Sequence, residues 1–433
     1  MPATQHDSHS GSLKMRKSNR IVLLHYSVPP VVGGVESVIL SQARLLSDAQ
    51  YSLSIIAGDG ESQAFPSGVD FTRIPELSTS HPEIVQASLQ LEQGLIPSTF
   101  DKLVERISSQ LIPLFHTADR VIVHNVFTKH FNLPLTAALC QLLGSGSLPG
   151  CIAWCHDITW TSENSRSKVF PGYPWDLLRT RRDDIRYVTI SQLRQHELAG
   201  LFNCPDETIA VVYNGVDPQE LLGLSKTGMD LFERLGLWDA DLILLMPVRV
   251  TQAKNIELAI RVAESLKERG LRLKIILTGP PDPHDQNNMT YYQKLLALRH
   301  DLNVDDEMRF VFESGPEAGQ FFTIDMSIVA ELYRVSDALF MPSHREGFGM
   351  PIVEAGLAGL PVFSTPIPAA SELGGDDVTT FAVETDPADI AELIIGRMEQ
   401  QSTWQLRRRV RQKLTWRSLL QRDMLPLLDE DTP

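Results

Sequence analysis

Short apolar runs alternate with amphipathic stretches along most of the chain, and this alternation predicts a repeating order of strand and helix. In the first half, the runs that predict strands are 20–25, 51–57, 69–74, 119–124, 150–155, 186–190 and 208–213. The stretches with helical periodicity between them are about 34–49, 99–116, 133–144 and 191–201. This order predicts a doubly wound α/β domain with a parallel sheet.

The second half of the chain repeats the pattern. Predicted strands are 241–248, 272–278, 308–313, 336–341, 360–364 and 379–383, and predicted helices are near 254–269, 290–300, 327–335, 350–358 and 387–398. A turn begins at Asn214 and Gly215 and leads into a loosely patterned segment, which is typical of a hinge. The predicted organisation is a polar disordered leader at 1–18, an N-terminal domain at 19–213, a hinge at 214–227, a C-terminal domain at 228–402 and C-terminal helices at 403–433.

Composition limits the function classes. A chain of 433 residues exceeds what one core usually holds, which favours two domains. The net charge of −15 argues against general affinity for nucleic acid or anionic lipid. No apolar run approaches the ~20 residues that span a bilayer. The four cysteines, at 140, 151, 155 and 204, are too dispersed to indicate a disulfide framework, so we expect a cytoplasmic protein without an integral membrane segment.

The segment EGFGMPIVE, from Glu346 to Glu354, carries the most chemical information. It follows the apolar run 336–342, and Pro351 suits the first turn of a helix that starts near Met350. The free N–H groups of such a helix start favour an anion, whereas the two carboxylates can accept hydrogen bonds from vicinal hydroxyls. A nucleotide sugar offers both kinds of group. Taken singly, Glu346 could equally be a solvated loop charge and Glu354 a charge favoured by the helix dipole.

Three other predicted strand ends carry candidate residues. Gly33 and Gly34 follow the first strand, where they allow close approach of a ligand or form only a tight turn into a helix. Arg249 and Lys254 follow the first strand of the second half and match two phosphates, although each alone could be a surface charge.

His156 and Asp157 follow the apolar strand CIAWC. His156 could hydrogen-bond a sugar hydroxyl, with Asp157 orienting it, or could be a structural histidine. Asp239 and Asp241 have the spacing of a metal-binding Asp-x-Asp motif, but they precede a strand, so a surface turn is expected there. The basic run 407–411 is expected to be a solvated helix face.

Together these residues resemble family 4 retaining glycosyltransferases, which have the two-domain GT-B fold. The resemblance rests on Gly33 and Gly34, on the NGVD turn at 214–217, on Arg249 and Lys254, on Thr278-Gly279, and above all on EGFGMPIVEAGLAGLPV at 346–362. It covers nearly the whole chain, including LTWRSLLQRDMLPLL at 414–428, which resembles the family's final helix. It implies two Rossmann-like doubly wound domains facing an interdomain cleft.

The resemblance also implies roles. Glu346 would hold hydroxyls of the donor sugar, Glu354 the ribose, Arg249 and Lys254 the diphosphate, and His156 the transferred sugar. Main-chain contacts to the donor would come from Gly347, Phe348, Gly349, Met350 and Pro351, and from Gly33 and Gly34 on closure about the hinge. The family pattern is broken at Val248, where a glycine is usual, and at 365–375, where a Gly-Gly turn is usual.

The function expected from this resemblance is transfer of a hexose, glucose or mannose, from a UDP- or GDP-sugar to a small polar acceptor, such as a glycerate derivative or a saccharide. The anomeric configuration would be retained, with no side-chain nucleophile. No cofactor is required for the fold, and a divalent metal is possible but no motif implies one. The alternative is a catalytically silent protein on the same fold that binds a nucleotide sugar.

Overall fold

Runs of buried leucine, isoleucine and valine form two all-parallel sheets in the computed structural model, which describes residues 20–281, 286–317 and 319–429. Strands buried on both faces need helices on each side, and the sequence supplies them between the strands. The predicted leader at 1–18 lies outside the described residues. Within the described ranges the chain divides into two compact units, one built from the residues up to Gly215 together with those from Leu419 onwards, and the other from Val216–Ser418.

The N-terminal unit contains a seven-stranded sheet with the order β3-β2-β1-β4-β5-β6-β7. Its strands are β1 (Arg20–Ser27), β2 (Ser52–Asp59), β3 (Asp70–Arg73), β4 (Arg120–His124), β5 (Cys151–Cys155), β6 (Ile185–Thr189) and β7 (Ala210–Val211). Its helices before the unit boundary are α1 (Gly34–Asp48), α2 (Pro82–Leu91), α3 (Phe100–Phe115), α4 (Leu133–Gly144) and α5 (Gln192–Phe202).

The C-terminal unit contains a six-stranded sheet with the order β10-β9-β8-β11-β12-β13. Its strands are β8 (Leu242–Met246), β9 (Leu273–Leu277), β10 (Met308–Phe310), β11 (Ala338–Met341), β12 (Val362–Ser364) and β13 (Val378–Thr380). Its helices are α6 (Pro218–Leu222), α7 (Lys226–Leu235), α8 (Ile256–Glu268), α9 (Gln286–Asp301), α10 (Met326–Val335), α11 (Met350–Leu357), α12 (Pro368–Gly374), α13 (Pro387–Glu399) and α14 (Ser402–Lys413).

The end of the chain returns to the N-terminal unit. After α15 (Trp416–Leu419), a short π-helical segment (Leu420–Met424) leads into α16 (Leu425–Asp429). Leu420, Met424, Leu427 and Leu428 are buried in the same apolar cluster as the inner face of β1. The boundary between Gly215 and Val216 falls within the segment predicted as a hinge. Motion about that segment stays a prediction.

Each sheet has one point where the strand order reverses. In the N-terminal sheet it lies between β1 and β4, and in the C-terminal sheet between β8 and β11. Loops that follow the two strands at such a point diverge to opposite faces of the sheet, which leaves a crevice at the carboxyl ends of the strands. The crevices are bordered by residues 28–33 and 125–132 in one unit and by residues 247–255 and 342–349 in the other.

The prediction of two Rossmann-like doubly wound domains is confirmed by these topologies. Every strand in the described ranges overlaps a predicted one. The errors concern helices. The sequence analysis predicted no helix at α2 or α7, treated 365–375 as an irregular loop where α12 forms, and described as loosely patterned a segment that contains α6. Helices α6 and α12 have five and seven residues, so they span too few turns to show an apolar period.

A buried ion cluster joins the amino ends of β8 and β11. Asp337 has a fully buried side chain and accepts from the guanidinium of Arg411 at 2.8 and 3.0 Å. Arg411 also donates to the carbonyls of Ala240 and Asp241. The Asp241 carboxylate in turn accepts from Arg408 at 2.6 Å. Helix α14 is therefore tied to the sheet through charges that lie at the edge opposite to the crevice.

Two predictions from the sequence are wrong here. The run 407–411 is not a solvated helix face, because Arg411 is buried. Asp241 is not on a surface turn, since it is 5% exposed. Burial alone would raise the pKa of Asp241, but hydrogen bonds from Arg272, Gln412 and Arg408 outweigh it and hold that pKa well below its usual range. In both cases the charges are neutralised by partners distant in sequence, which local patterning does not reveal.

Replacing Arg411 with alanine should destabilise the C-terminal unit strongly, because Asp337 would then be left buried without its partner. The expected loss is about 3–5 kcal/mol in the free energy of unfolding, measured by urea denaturation. Arg409→Ala is the matched control, since Arg409 is an exposed arginine on the same helix. Equal stabilities for the two variants would contradict the assigned role of the cluster.

Candidate active site

The crevice of the C-terminal unit contains an ion pair between two residues that the sequence singled out. Lys254 lies at the end of a 3₁₀ turn after β8, and its Nζ is 2.6 Å from Oε2 of Glu346 in the loop after β11. The Ser343 hydroxyl donates to Oε1 of Glu346 at 2.7 Å. The backbone N–H of His344 donates to the carbonyl of Ala253 at 2.9 Å, which fastens the two loops together.

This pair is largely removed from solvent. The side chains of Lys254 and Glu346 are 19% and 8% exposed. Desolvation of two charges offsets much of their attraction, so such a pair contributes little net stability, whereas removal of one partner leaves a costly buried charge. Lys254 is consequently a cation held in place at the strand ends, where an incoming anion would compete with Glu346 for it.

Arg249 supplies a second positive charge from the same loop. The residue is exposed, and its side chain makes no hydrogen bond or ion pair with any of the described residues. Its backbone is packed against Gly279, where an added Cβ would lie 2.5 Å from the carbonyl oxygen of Val248 and 2.7 Å from Cα of Arg249. Gly279 thus allows the loops after β8 and β9 to touch, and the valine at 248 is buried beneath them.

Helix α11 begins at the position that the sequence predicted. Gly349 precedes it with φ +90°, and an added Cβ there would lie 2.9 Å from Cβ of Ala369, so glycine is required on both grounds. Met350 and Pro351 form the first turn. Gly347 has no atom within 4 Å of its Cβ position and Phe348 is 61% exposed, so this backbone is open to a ligand.

Glu354 lies one turn further along α11 and already has a protein partner. The hydroxyl of Tyr333 donates to its Oε2 at 2.7 Å. Burial and this hydrogen bond to Glu354 raise the pKa of Tyr333. One carboxylate oxygen of Glu354 is therefore fixed, and the other is left to accept from a ligand.

In the N-terminal unit, Gly33 and Gly34 stand at the start of α1 as predicted. The Glu36 carboxylate lies over Gly33, so that an added Cβ would be 2.1 Å from Oε2, and Ser27 donates to Oε1 at 2.7 Å. Gly34 has open space at its Cβ position. The sequence predicted that a diphosphate binds at this helix start. In the structure the Glu36 carboxylate lies there, and a phosphate would have to displace it.

His156 lies at the end of β5 within a buried hydrogen-bonded chain. Its Nε2 is 3.2 Å from Nδ1 of His124, and Nε2 of His124 is 3.1 Å from Oε1 of Gln42. An amide oxygen only accepts, so His124 carries its proton on Nε2 and His156 must donate from Nε2. Nδ1 of His156 is then the free acceptor.

The expected orienting role of Asp157 is wrong, because its carboxylate is 3.5 Å from the Asn125 amide and 3.8 Å from Arg194 rather than bonded to the ring of His156.

Burial keeps three histidines of this cluster neutral. It lowers the pKa of His25 and of His156 to about 4, and the pKa of His124 well below its usual value. Each ring also disfavours protonation of its neighbours through charge repulsion. Nδ1 of His25 lies 2.8 Å from the His124 carbonyl, which fixes its proton there.

No group of three or more histidine, cysteine, aspartate or glutamate side chains among the described residues could hold a metal ion. The expectation that no cofactor is required for the fold, with a divalent metal possible, stays a prediction. The structure brings together Lys254 and Glu346 in the C-terminal unit, with Arg249, residues 347–351 and Glu354 on the same strand-end loops and helix. It places His156, Gly33 and Gly34 at the strand ends of the N-terminal unit.

Six residues of these sites were missed: Ser343, Tyr333, His25, His124, Gln42 and Glu36. A signal was present for His25 and His124, because each follows an apolar run in its strand. The others contact site residues from different elements.

Comparison with known proteins agrees with this picture. Residues 230–414 match the family model described as Glycosyl transferases group 1. It is 28% identical over 193 residues to an uncharacterized glycosyltransferase of Methanocaldococcus jannaschii, covering 44% of this chain and 45% of that one. The D-inositol 3-phosphate glycosyltransferase of Actinosynnema mirum is 28% identical over 202 residues, with 46% and 45% covered. The chain thus spans about half the length of these relatives.

A longer but weaker match is the mannosylglucosylglycerate synthase of Petrotoga mobilis, 23% identical over 378 residues, with 80% of this chain and 82% of that one covered. Among solved structures, a glycosyltransferase of Rickettsia africae aligns over 95% of this chain and 98% of its own, with 16% identity and a TM-score of 0.37. No helix in the described part of the chain is long and apolar enough to cross a membrane.

The neutral histidines predict a pH dependence of stability. Their pKa values are lower in the folded than in the unfolded state, so the unfolded state binds more protons below about pH 6.5. Stability should be complete above that pH and fall as the pH drops towards 5, by about 1–2 kcal/mol for each histidine. Urea denaturation between pH 7.5 and 5 measures this slope. His156→Gln should reduce it, whereas His116→Gln, at an exposed position, should not. A flat profile would contradict the assignment.

Proposed function

We propose that this protein is a retaining glycosyltransferase that moves a hexose, glucose or mannose, from a UDP- or GDP-sugar to a small polar acceptor. The observation that carries the proposal is the buried pair of Lys254 and Glu346 at the switch point of the C-terminal sheet. The match of residues 230–414 to the glycosyl transferases group 1 family model supports it. Cleavage of the donor at its anomeric carbon requires stabilisation of a departing diphosphate, which a fixed cation at this place would supply.

The cationic side of the site is Lys254 together with Arg249. As the bond between the sugar and the diphosphate breaks, negative charge grows on the phosphate oxygens. The ammonium of Lys254 is a point charge, and the guanidinium of Arg249, which has no partner among the described residues, offers a planar fork of donors. The N–H groups at the start of α11 add a favourable dipole of about 0.3–1 kcal/mol. Together they would stabilise the leaving group.

The carboxylates would select the hydroxyls of the donor. Glu346 would accept from hydroxyls of the hexose once an anion draws Lys254 away, while Ser343 keeps the carboxylate oriented. Glu354 would accept from the ribose through the oxygen that Tyr333 leaves free. Main-chain groups of the open segment 347–351 would complete the contact.

In the N-terminal unit, His156 would face the transferred sugar and accept a hydrogen bond at Nδ1. Its neutral state suits this role, since a cation would disfavour positive charge developing on the sugar ring. Retention without a protein nucleophile is consistent with a departing phosphate oxygen that takes the proton of the acceptor hydroxyl on the same face. The acceptor is proposed to be a small polar molecule such as a glycerate derivative or a saccharide.

A donor panel tests the proposal. The full-length protein is incubated with UDP-glucose, GDP-glucose, GDP-mannose and UDP-galactose, with and without polyol and glycerate acceptors, and the released UDP or GDP is measured. We expect release from one glucose or mannose donor and an α-linked product by NMR. Donor binding without release or transfer in any combination would favour the silent nucleotide-sugar-binding alternative and overturn the enzyme proposal.

Lys254→Ala should lower kcat/KM by about 10²–10³, the usual effect of removing one preorganised group that stabilises developing charge. Steady-state kinetics with the donor found above measures the loss, and a melting curve checks that the variant is folded. Lys226→Ala is the control, because Lys226 is an exposed lysine of the same unit. Unchanged turnover and donor affinity in Lys254→Ala would remove this residue from the site.

A further inference from the structure

The loop that follows β4 borders the crevice of the N-terminal sheet and is buried along nearly its whole length. Of residues 125–132, only Phe131 is exposed. A buried loop must satisfy its own polar groups. Asn125 accepts from the backbone N–H groups of His156 and Asp157. Thr128 donates to the carbonyl of Asp157 at 2.7 Å.

The next polar residues in the loop also have partners, although Nε2 of His130 makes no hydrogen bond and only lies 3.3 Å from Oε1 of Glu92. The ring of His130 is bonded to Thr159 through Nδ1 at 3.0 Å. Asn132 caps α4 and donates to two backbone carbonyls.

Lys129 is the exception in this loop. It is only 8% exposed, yet its ammonium makes no hydrogen bond or ion pair with the described residues. Its one favourable contact is with the ring of Phe131, whose centroid lies 4.6 Å from Nζ. A cation–π contact is worth about 0.5–2 kcal/mol. Burial lowers the pKa of Lys129; the charge of Asp157 opposes this shift, and the charges of Arg194 and Lys168 add to it.

The carboxylates near Lys129 are engaged by other cations. Glu92 pairs with Lys168 at 3.1 Å, and Glu197 pairs with Arg194 at 2.6 Å. Asp157 lies 3.8 Å from the same arginine. Among the described residues, therefore, no carboxylate forms an ion pair with Lys129, and Asp157 acts on it only through its charge. An anion from outside would add the missing charge, and the ammonium has three donors to offer it.

We propose that Lys129 binds the carboxylate or phosphate of the sugar acceptor, and hence that the preferred acceptor is anionic. The inference rests on the glycosyltransferase function proposed above and specifies its second substrate. The location supports it, because the loop of Lys129 is joined directly to the loop of His156 by the Thr128 and Asn125 hydrogen bonds. A hydroxyl a few bonds away from an anion held at Lys129 would lie near the group proposed to face the transferred sugar.

The donor has its own cations, Arg249 and Lys254, in the C-terminal unit. Lys129 therefore should affect acceptor selection and leave donor binding unchanged. A structural role makes a different prediction. Because Lys129 forms no hydrogen bond or ion pair with the described residues, Lys129→Met should melt at the same temperature as the parent protein. A drop in Tm would show that Lys129 holds the loop together and would overturn the proposal.

The experiment compares two matched acceptor pairs, D-glycerate with glycerol and D-glucose 6-phosphate with D-glucose. With the parent protein we expect a higher kcat/KM for one or both anionic members. Lys129→Met should lose about 10- to 100-fold in kcat/KM for the anionic member while its Kd for the donor stays constant. The two pairs separate a carboxylate from a phosphate. Lys102→Met, an exposed lysine on α3, is the control and should behave as the parent.

Titration calorimetry of glycerate and glucose 6-phosphate without donor separates this inference from the function on which it rests. Binding that Lys129→Met abolishes would support the anion site even if no sugar were transferred. Equal use of the charged and neutral acceptors, retention of the anionic preference in Lys129→Met, or weakened donor binding in that variant would each overturn the assignment.

Discussion

The structure depends on one topological constraint, the parallel alignment of every strand within each sheet. Parallel strands have all their carboxyl ends at one edge, and a single reversal of strand order leaves a crevice there. In the C-terminal unit the two strands at the reversal are β8 and β11, and their loops bring Lys254 to within 2.6 Å of Glu346, 92 positions later in the chain. The candidate site therefore depends on the order of the strands in the sheet as well as on the residues in the loops that follow them.

The same two strands carry buried charges at both ends, with different effects. At the amino ends, Asp337 and Asp241 are fully satisfied by arginines from α14, and the charges hold a helix against the sheet. At the carboxyl ends, Glu346 is paired but Arg249 has no partner in the part of the chain that the structure describes, and the adjoining backbone is open. The two edges of the sheet therefore differ in how their charged side chains are paired. The charges at the amino edge are paired within the protein and stabilise the fold, whereas those at the carboxyl edge include one that could bind a ligand. Lys129 is the corresponding charged residue in the N-terminal unit, because it too forms no ion pair with the described residues.

Features of the fold and site could be predicted from the sequence where the interacting residues are close together in the chain. Apolar runs predicted the strands, and Gly349 and Pro351 predicted the start of α11, because these signals are local in sequence. Short helices such as α6 and α12 span too few turns for a period to appear. Partners drawn from distant elements stayed hidden, so Tyr333 beside Glu354, Gln42 behind His124 and the neutralisation of Asp241 needed coordinates. The candidate residues could be named from sequence, whereas their hydrogen-bonding states could not.

The contact between Lys254 and Glu346 also bears on the order of events at such a site. For a diphosphate to take the ammonium, the carboxylate must give up its cation, and hydroxyls of a sugar are the groups able to compensate it. Binding of the phosphate by Lys254 and binding of the sugar hydroxyls by Glu346 would then occur together, as each residue exchanges the other for a group of the donor. A nucleoside diphosphate that has lost its sugar would leave Glu346 uncompensated, so re-formation of the ion pair would help to expel the product and return the site to its resting state.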